Sequence, residues 1–180
     1  MITTSLIETT GAEPVTIDDV KTYCHIDNDD EDVLIPAMIT AARQYAEHKT
    51  NRKLVAATYE IVSEDGGEII IPITPCLELL SVKVDDEDIT DTSLFKYIPS
   101  AMGGEPIFAT FTPQDGFPDG TITLRVSVGM CNEAVKQWIL VRVNNWYEQR
   151  ATFGIGPNFH EFHYDFVDAL LDTVTYFGKF

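Results

Sequence analysis

A double change of hydrophobic period constrains this chain more than any other feature. Apolar residues recur at helical spacing near both ends, and about seventy residues between them carry strand patterning. Thr16, with Asp19 three residues on, reads as an N-cap for a short helix from Ile17 to about His25, and Val20, Tyr23 and Cys24 form its apolar face. Leu34, Ile35, Met38, Ile39, Ala42, Tyr45 and Ala46 mark a second helix ending near Thr50-Asn51. The run at 27–32 holds five carboxylates in six positions, suited to that helix's cap and first turn. Pro36 kinks a helix that starts at Asp30, or marks a start nearer Ile35.

The period then becomes two. Thr58–Val62 and Glu68–Pro72 read as strands around Asp65-Gly66-Gly67, and Leu80–Val84 as a half-buried strand before the acidic turn Asp85-Asp86-Glu87-Asp88. Further strands are expected at Phe95–Ile98, Phe108–Phe111 and, most clearly, Thr121–Val128. Helical spacing returns from Glu133 to about Arg150 and from about Asp165 to Thr175. Residues 1–15 read as a polar lead-in. This order predicts an α+β fold, in which two N-terminal and two C-terminal helices form a bundle with an inserted antiparallel β segment. The expected parts are 1–55, 56–130 and 131–180, the middle one being the insertion.

Charge narrows the function. Twelve Lys and Arg stand against 29 Asp and Glu, a formal net charge of −17. Proteins that hold nucleic acid do so largely through cations that displace counterions from phosphates, so this chain is expected to repel DNA, RNA and anionic lipid. Protein partners are expected instead, or a passage through which DNA slides without sticking. Cys24, Cys76 and Cys131 are odd in number and far apart, which suits a reducing compartment and thiols used as small hydrophobes. No run approaches the length of a membrane span, and the N-terminus lacks signal-peptide character.

The chemical clusters are sparse. The 27–32 run lacks the glycine and closing glutamate of a calcium loop, where Asp32 and Met38 stand, and reads as a solvated cap. His160 and His163, with Glu161 and Asp165, form the one metal-like group; its setting suits a connecting loop better than a zinc site. No cofactor, metal site or catalytic residue is therefore expected. Trp138 and Trp146 lie eight apart on one helix face and read as core. Asp85, Asp86, Glu87 and Asp88 read as a hairpin turn, or as an acidic loop facing passing DNA. Tyr176, Phe177 and Phe180 are costly to expose, and either fold back or dock on a neighbour.

Several segments in order resemble one family. They are Thr16-Ile-Asp-Asp-Val-Lys, the run from Ile26-Asp27 through Asp30-Glu31-Asp32, Thr50-Asn51-Arg52, Ile71-Pro72-Ile73-Thr74-Pro75, Val126-Ser127-Val128-Gly129-Met130, Gln137-Trp138 through Asn145-Trp146-Tyr147-Glu148-Gln149-Arg150, and Phe166–Leu171. Together they resemble the head–tail connector, or adaptor, proteins of tailed double-stranded DNA bacteriophages, in the longer form with a β insertion. Gly129-Met130 and the aromatic tail after Leu171 depart from the family's pattern. The resemblance implies a structural virion protein without enzymatic activity. It implies a heterologous ring of about a dozen copies beneath the portal protein, with a stopper or tail-completion protein beyond. DNA would be passing cargo, and assembly would occur in the host cytoplasm. Glu148 and Arg150 would form an intersubunit pair, and Tyr176, Phe177 and Phe180 would meet a neighbour or the portal. The rival readings are an acidic DNA mimic that inhibits a nucleic-acid enzyme, and a small metal hydrolase built on His160 and His163.

Overall fold

A computed structural model describes residues 1–102, 105–148 and 165–175. The chain divides into two units. One comprises Met1–Ala12 and Arg52–Met130; the other comprises Glu13–Asn51 and the described residues of Cys131–Thr175.

The first unit is built of strands. They are β1 (Ile2–Thr9), β2 (Ala57–Ser63), β3 (Ile69–Ile70), β4 (Cys76–Val84), β5 (Glu87–Asp88), β6 (Phe95–Met102), β7 (Glu105–Pro113) and β8 (Ile122–Val128). Two antiparallel sheets result, ordered β1-β2-β8-β4-β5 and β3-β7-β6. β8 lies between β2 and β4, and its strict alternation buries Ile122, Leu124, Val126 and Val128 on one face. These join Ile61, Ile69, Ile71, Val82, Val84, Ala109 and Phe111 in one apolar core drawn from both sheets. Phe111 sits between Phe95 and Phe117, with ring centroids 5.2 and 5.8 Å away. Gly129 closes the end of β8. Its φ of +98° favours glycine, and an added Cβ would press on the Val55 carbonyl and sit 2.9 Å from Ala56 Cα.

The second unit holds four helices among the described residues: α1 (Ile17–Cys24), α2 (Ile35–Thr50), α3 (Glu133–Glu148) and α4 (Asp165–Asp172). α2 packs on α3 and α4, and α3 also packs on α1. Ile35, Ile39, Ala42 and Ala46 bury one stripe of α2; Val135, Trp138, Ile139 and Val143 bury one stripe of α3. The Thr16 cap is as expected: the Asp19 N–H donates to Thr16 Oγ1 at 3.1 Å, and the Thr16 N–H returns to Asp19 Oδ2 at 2.9 Å. The Val135 N–H donates to Asn132 Oδ1 at the start of α3.

The expected helical bundle with an inserted β segment is overturned. Among the described residues eight strands form two antiparallel sheets with an apolar core of their own, so the β part is not an appendage of a bundle. The lead-in expected at 1–15 is mostly β1. Its burial does not alternate, because every residue is exposed, and a period-two signal therefore never arises. The acidic run does not cap α2. That helix starts at Ile35, with Pro36 in the first turn where a missing N–H costs little, and Leu34 at the cap position. No helix of the described residues is long and apolar enough to cross a membrane.

Candidate functional site

Exposed surfaces carry the acidic candidate residues. Asp27, Asp29 and Asp30 are exposed, and Lys21 Nζ reaches Asp29 and Asp32, each at 2.6 Å. These two partners raise the Lys21 pKa, and Lys21 lowers that of Asp29. Nearby, Arg43 Nε donates to Glu13 Oε2 at 2.8 Å while its Nη1 meets Glu47 at 3.2 Å. Burial works against the Arg43 charge, and the two carboxylates outweigh it.

The acidic hairpin is a different structure. Asp85 and Asp86 form the two-residue turn between β4 and β5 with φ of 48° and 71°, the left-handed pair that a tight hairpin demands. Asp85 is bound in place, since the Thr121 N–H donates to its Oδ1 at 2.9 Å. Lys83 pairs with Asp88 at 3.3 Å. All four residues, Asp85, Asp86, Glu87 and Asp88, are exposed.

The tryptophan stripe is packing, as expected for Trp138. That ring is fully buried, stacked on Tyr45 at 5.6 Å, and its Nε1–H donates to Asp168 Oδ1 at 2.9 Å. The Arg142 guanidinium lies over Tyr45, Trp138 and Trp146 at 5.2 to 5.9 Å. The thiols suit the hydrophobe reading. Burial raises all three, Cys131 to about 11, so none is poised as a thiolate.

Glu148 ends α3 in an exposed position, and its charge adds to the effect of burial on the Cys24 thiol. Arg150, His160, His163, Tyr176, Phe177 and Phe180 lie outside the described residues. No cluster of three metal-ligating side chains occurs among the described residues.

Sequence reasoning missed the sheet edges. β1 pairs only with β2 and β6 only with β7 among the described residues, so each leaves an outer edge open. The β4 edge is covered by β5 only at Lys83 and Val84. Bulges in β4 push Leu77 and Leu80 out of register. β6 carries Pro99, and β5 is two acidic residues. β1 alone is long, exposed and nearly uncharged, with Ile2, Leu6 and Ile7 at 43, 53 and 46% exposure. The available signal was compositional: Ile-Thr-Thr-Ser-Leu-Ile is rich in strand formers and free of charge, proline and glycine.

The fold has a solved counterpart. A chain in a structure described as the neck of an empty GTA particle computed with C6 symmetry matches 100% of this chain and 97% of its own, with TM-score 0.66 and 14% identity. Residues 14–101 match the family model of phage gp6-like head-tail connector proteins. That stretch, just under half of the chain, is similar to head–tail connector proteins, and the match supports a structural connector or adaptor role. The family and the neck are structural components of phage or phage-like particles. No curated protein matches the chain.

Proposed function

We propose that this connector assembles as a closed ring of its own copies at the head–tail junction, beneath the portal protein, and lengthens the channel through which DNA passes. The family match over residues 14–101 carries the reading. The charge of −17 supports it, because an acidic wall gives phosphates nothing to condense on. The exposed loop Asp85, Asp86, Glu87 and Asp88 faces the passing DNA. Tyr176, Phe177 and Phe180 dock on the portal or a neighbour, and Glu148 and Arg150 pair between subunits. A stopper or tail-completion protein sits on the far side. The chain performs no catalysis, assembles in the host cytoplasm and ends in the virion.

The test is affinity capture from particle-producing cells with an N-terminal tag, followed by negative-stain microscopy. Rings with an axial hole, alone or stacked on a larger ring, are expected. A one-to-one complex with a nuclease or polymerase, without rings, overturns the reading in favour of a DNA mimic. Deleting residues 176–180 is expected to abolish portal docking while circular dichroism and thermal midpoint stay unchanged. A large fall in the midpoint would instead make the tail part of the core.

A further inference from the structure

The sequence holds three Asp-Gly dipeptides, at 65–66, 115–116 and 119–120, all in the sheet unit. Such a pair can react with itself. The glycine amide nitrogen reaches the aspartate side-chain carbon, Cγ, because glycine puts no Cβ in the way. The planar peptide unit must swing about the aspartate Cα–C bond to bring the two atoms together. A rigid turn therefore blocks the reaction and a loose one permits it, and the three sites differ in that freedom.

Asp115-Gly116 is clamped. The Phe117 N–H donates to the Gln114 carbonyl at 3.0 Å across the pair, and Gly116 sits at φ +87° beside Leu94. Asp119-Gly120 is clamped harder. Asp85 Oδ1 accepts the Thr121 N–H at 2.9 Å, and the Asp85 N–H donates to the Thr121 carbonyl at 3.1 Å. A Cβ added to Gly120 would press on the Asp85 carboxylate and lie 2.8 Å from Val84 Cγ1. Asp65-Gly66 has no such restraint. Residues 64–68 are all exposed. Beyond the chain neighbours, no described atom lies within 4 Å of where a Cβ on Gly66 or Gly67 would stand. Two contacts reach Asp65 among the described residues. The Met1 amine donates to its Oδ2 at 2.9 Å, and the Ser63 hydroxyl donates to its main-chain oxygen at 3.0 Å. The first is an ion pair whose groups are 81 and 82% exposed, which restrains little, and the second is a single side-chain bond.

We propose that Asp65-Gly66 is a self-modifying site, at which the folded chain converts aspartate to isoaspartate with water as the one co-reactant. The Gly66 nitrogen gives up its proton and bonds to Asp65 Cγ. A carboxyl C–O bond breaks, one water leaves, and a five-membered succinimide closes. Water then adds to one of the two ring carbonyls and breaks its bond to nitrogen. Opening at Cγ restores aspartate. Opening at the former main-chain carbonyl leaves the peptide running through Cγ and that carbon as a free carboxylate. The altered link joins β2 of one sheet to β3 of the other and becomes one atom longer. Gly67 and Glu68, both exposed, separate it from Ile69, where burial resumes, so the core keeps its place while the Ser63 bond to Asp65 is lost.

The experiment ages the full chain in warm neutral buffer, once folded and once in denaturant. Isoaspartate is measured by methyl transfer from S-adenosylmethionine with an isoaspartyl methyltransferase, and located in each peptide by fragmentation that separates the isomers. In the folded chain the Asp65 peptide is expected to gain several times more isoaspartate than the Asp115 and Asp119 peptides. In denaturant the three should converge. Equal gain at all three sites in the folded chain, or a lead by Asp115 or Asp119, overturns the proposal. The same lead by Asp65 in denaturant also overturns it, since local sequence and not the fold would then choose the site. Gly66→Ala places a methyl group in open space, so circular dichroism should be unchanged while isoaspartate at Asp65 is lost. Undiminished conversion in that variant would place the reaction elsewhere.

Discussion

The sheet unit and the helical unit both bury an apolar interior, and they differ in what accompanies it. In the sheet unit the buried layer is almost wholly Ile, Val, Leu, Ala and Phe, gathered from both sheets. In the helical unit the buried stripes of α2 and α3 are accompanied by polar and ionic contacts: the Thr16–Asp19 box, Lys21 on two carboxylates, Arg43 between Glu13 and Glu47, and Trp138 bonded to Asp168. The contrast teaches that the two units respond to different insults. Volume loss should hurt the first most, and acid should hurt the second most. Both tryptophans lie on α3, so their fluorescence reports the helical unit alone.

The largest expected effect is Phe111→Ala. Removing a fully buried ring from between Phe95 and Phe117 should cost about 3–5 kcal/mol and lower the midpoint measured by circular dichroism. A loss below about 1 kcal/mol would break the contrast, since it would mean that the core collapses around the hole. Next comes Trp138→Phe, which keeps an aromatic ring on Tyr45 but deletes the donor to Asp168. A cost of about 1–3 kcal/mol is expected, with Trp146 fluorescence reporting the change. No effect would reassign the helical unit to simple apolar packing.

The smallest is Thr16→Ala, at about 1 kcal/mol, and it carries a pH signature. The Thr16 hydroxyl and backbone N–H lower the Asp19 pKa. A carboxyl lowered in the folded state stabilises above its unfolded value and loses that contribution as pH falls through the folded value. The gap between wild type and Thr16→Ala should therefore be largest at neutral pH and narrow in the acid range to the part carried by the Asp19 N–H bond to Thr16 Oγ1, as read from thermal midpoints. A gap that held constant in acid would show that the cap works only through the Asp19 N–H bond to the hydroxyl.

Legibility followed burial. β8 was readable because each alternate residue is buried, and α2 because Ile35, Ile39, Ala42 and Ala46 keep one stripe. The Thr16 box was readable because both partners lie within four residues of each other. β1 was not, since exposure on both faces removes any alternation. β4 was blurred by two bulges, each of which shifts the period by one residue and brings Leu77 or Leu80 to the surface. The candidate surfaces divide in the same way. The acidic hairpin could be seen in composition, while the open edges depend on strand order, and pairings between strands sixty residues apart leave no local trace.

The chain's path through its two units has a kinetic consequence. β1 pairs with β2, Ile2 against Ser63, so that pairing forms only after α1 and α2 have been made. The first two helices in turn find α3 only after residue 133. Contacts so distant in sequence make for slow folding, and a fragment from either end lacks part of both units. On a ribosome, β1 has no strand beside it until β2 emerges, so its outer edge takes shape only after the two helices between them have been made.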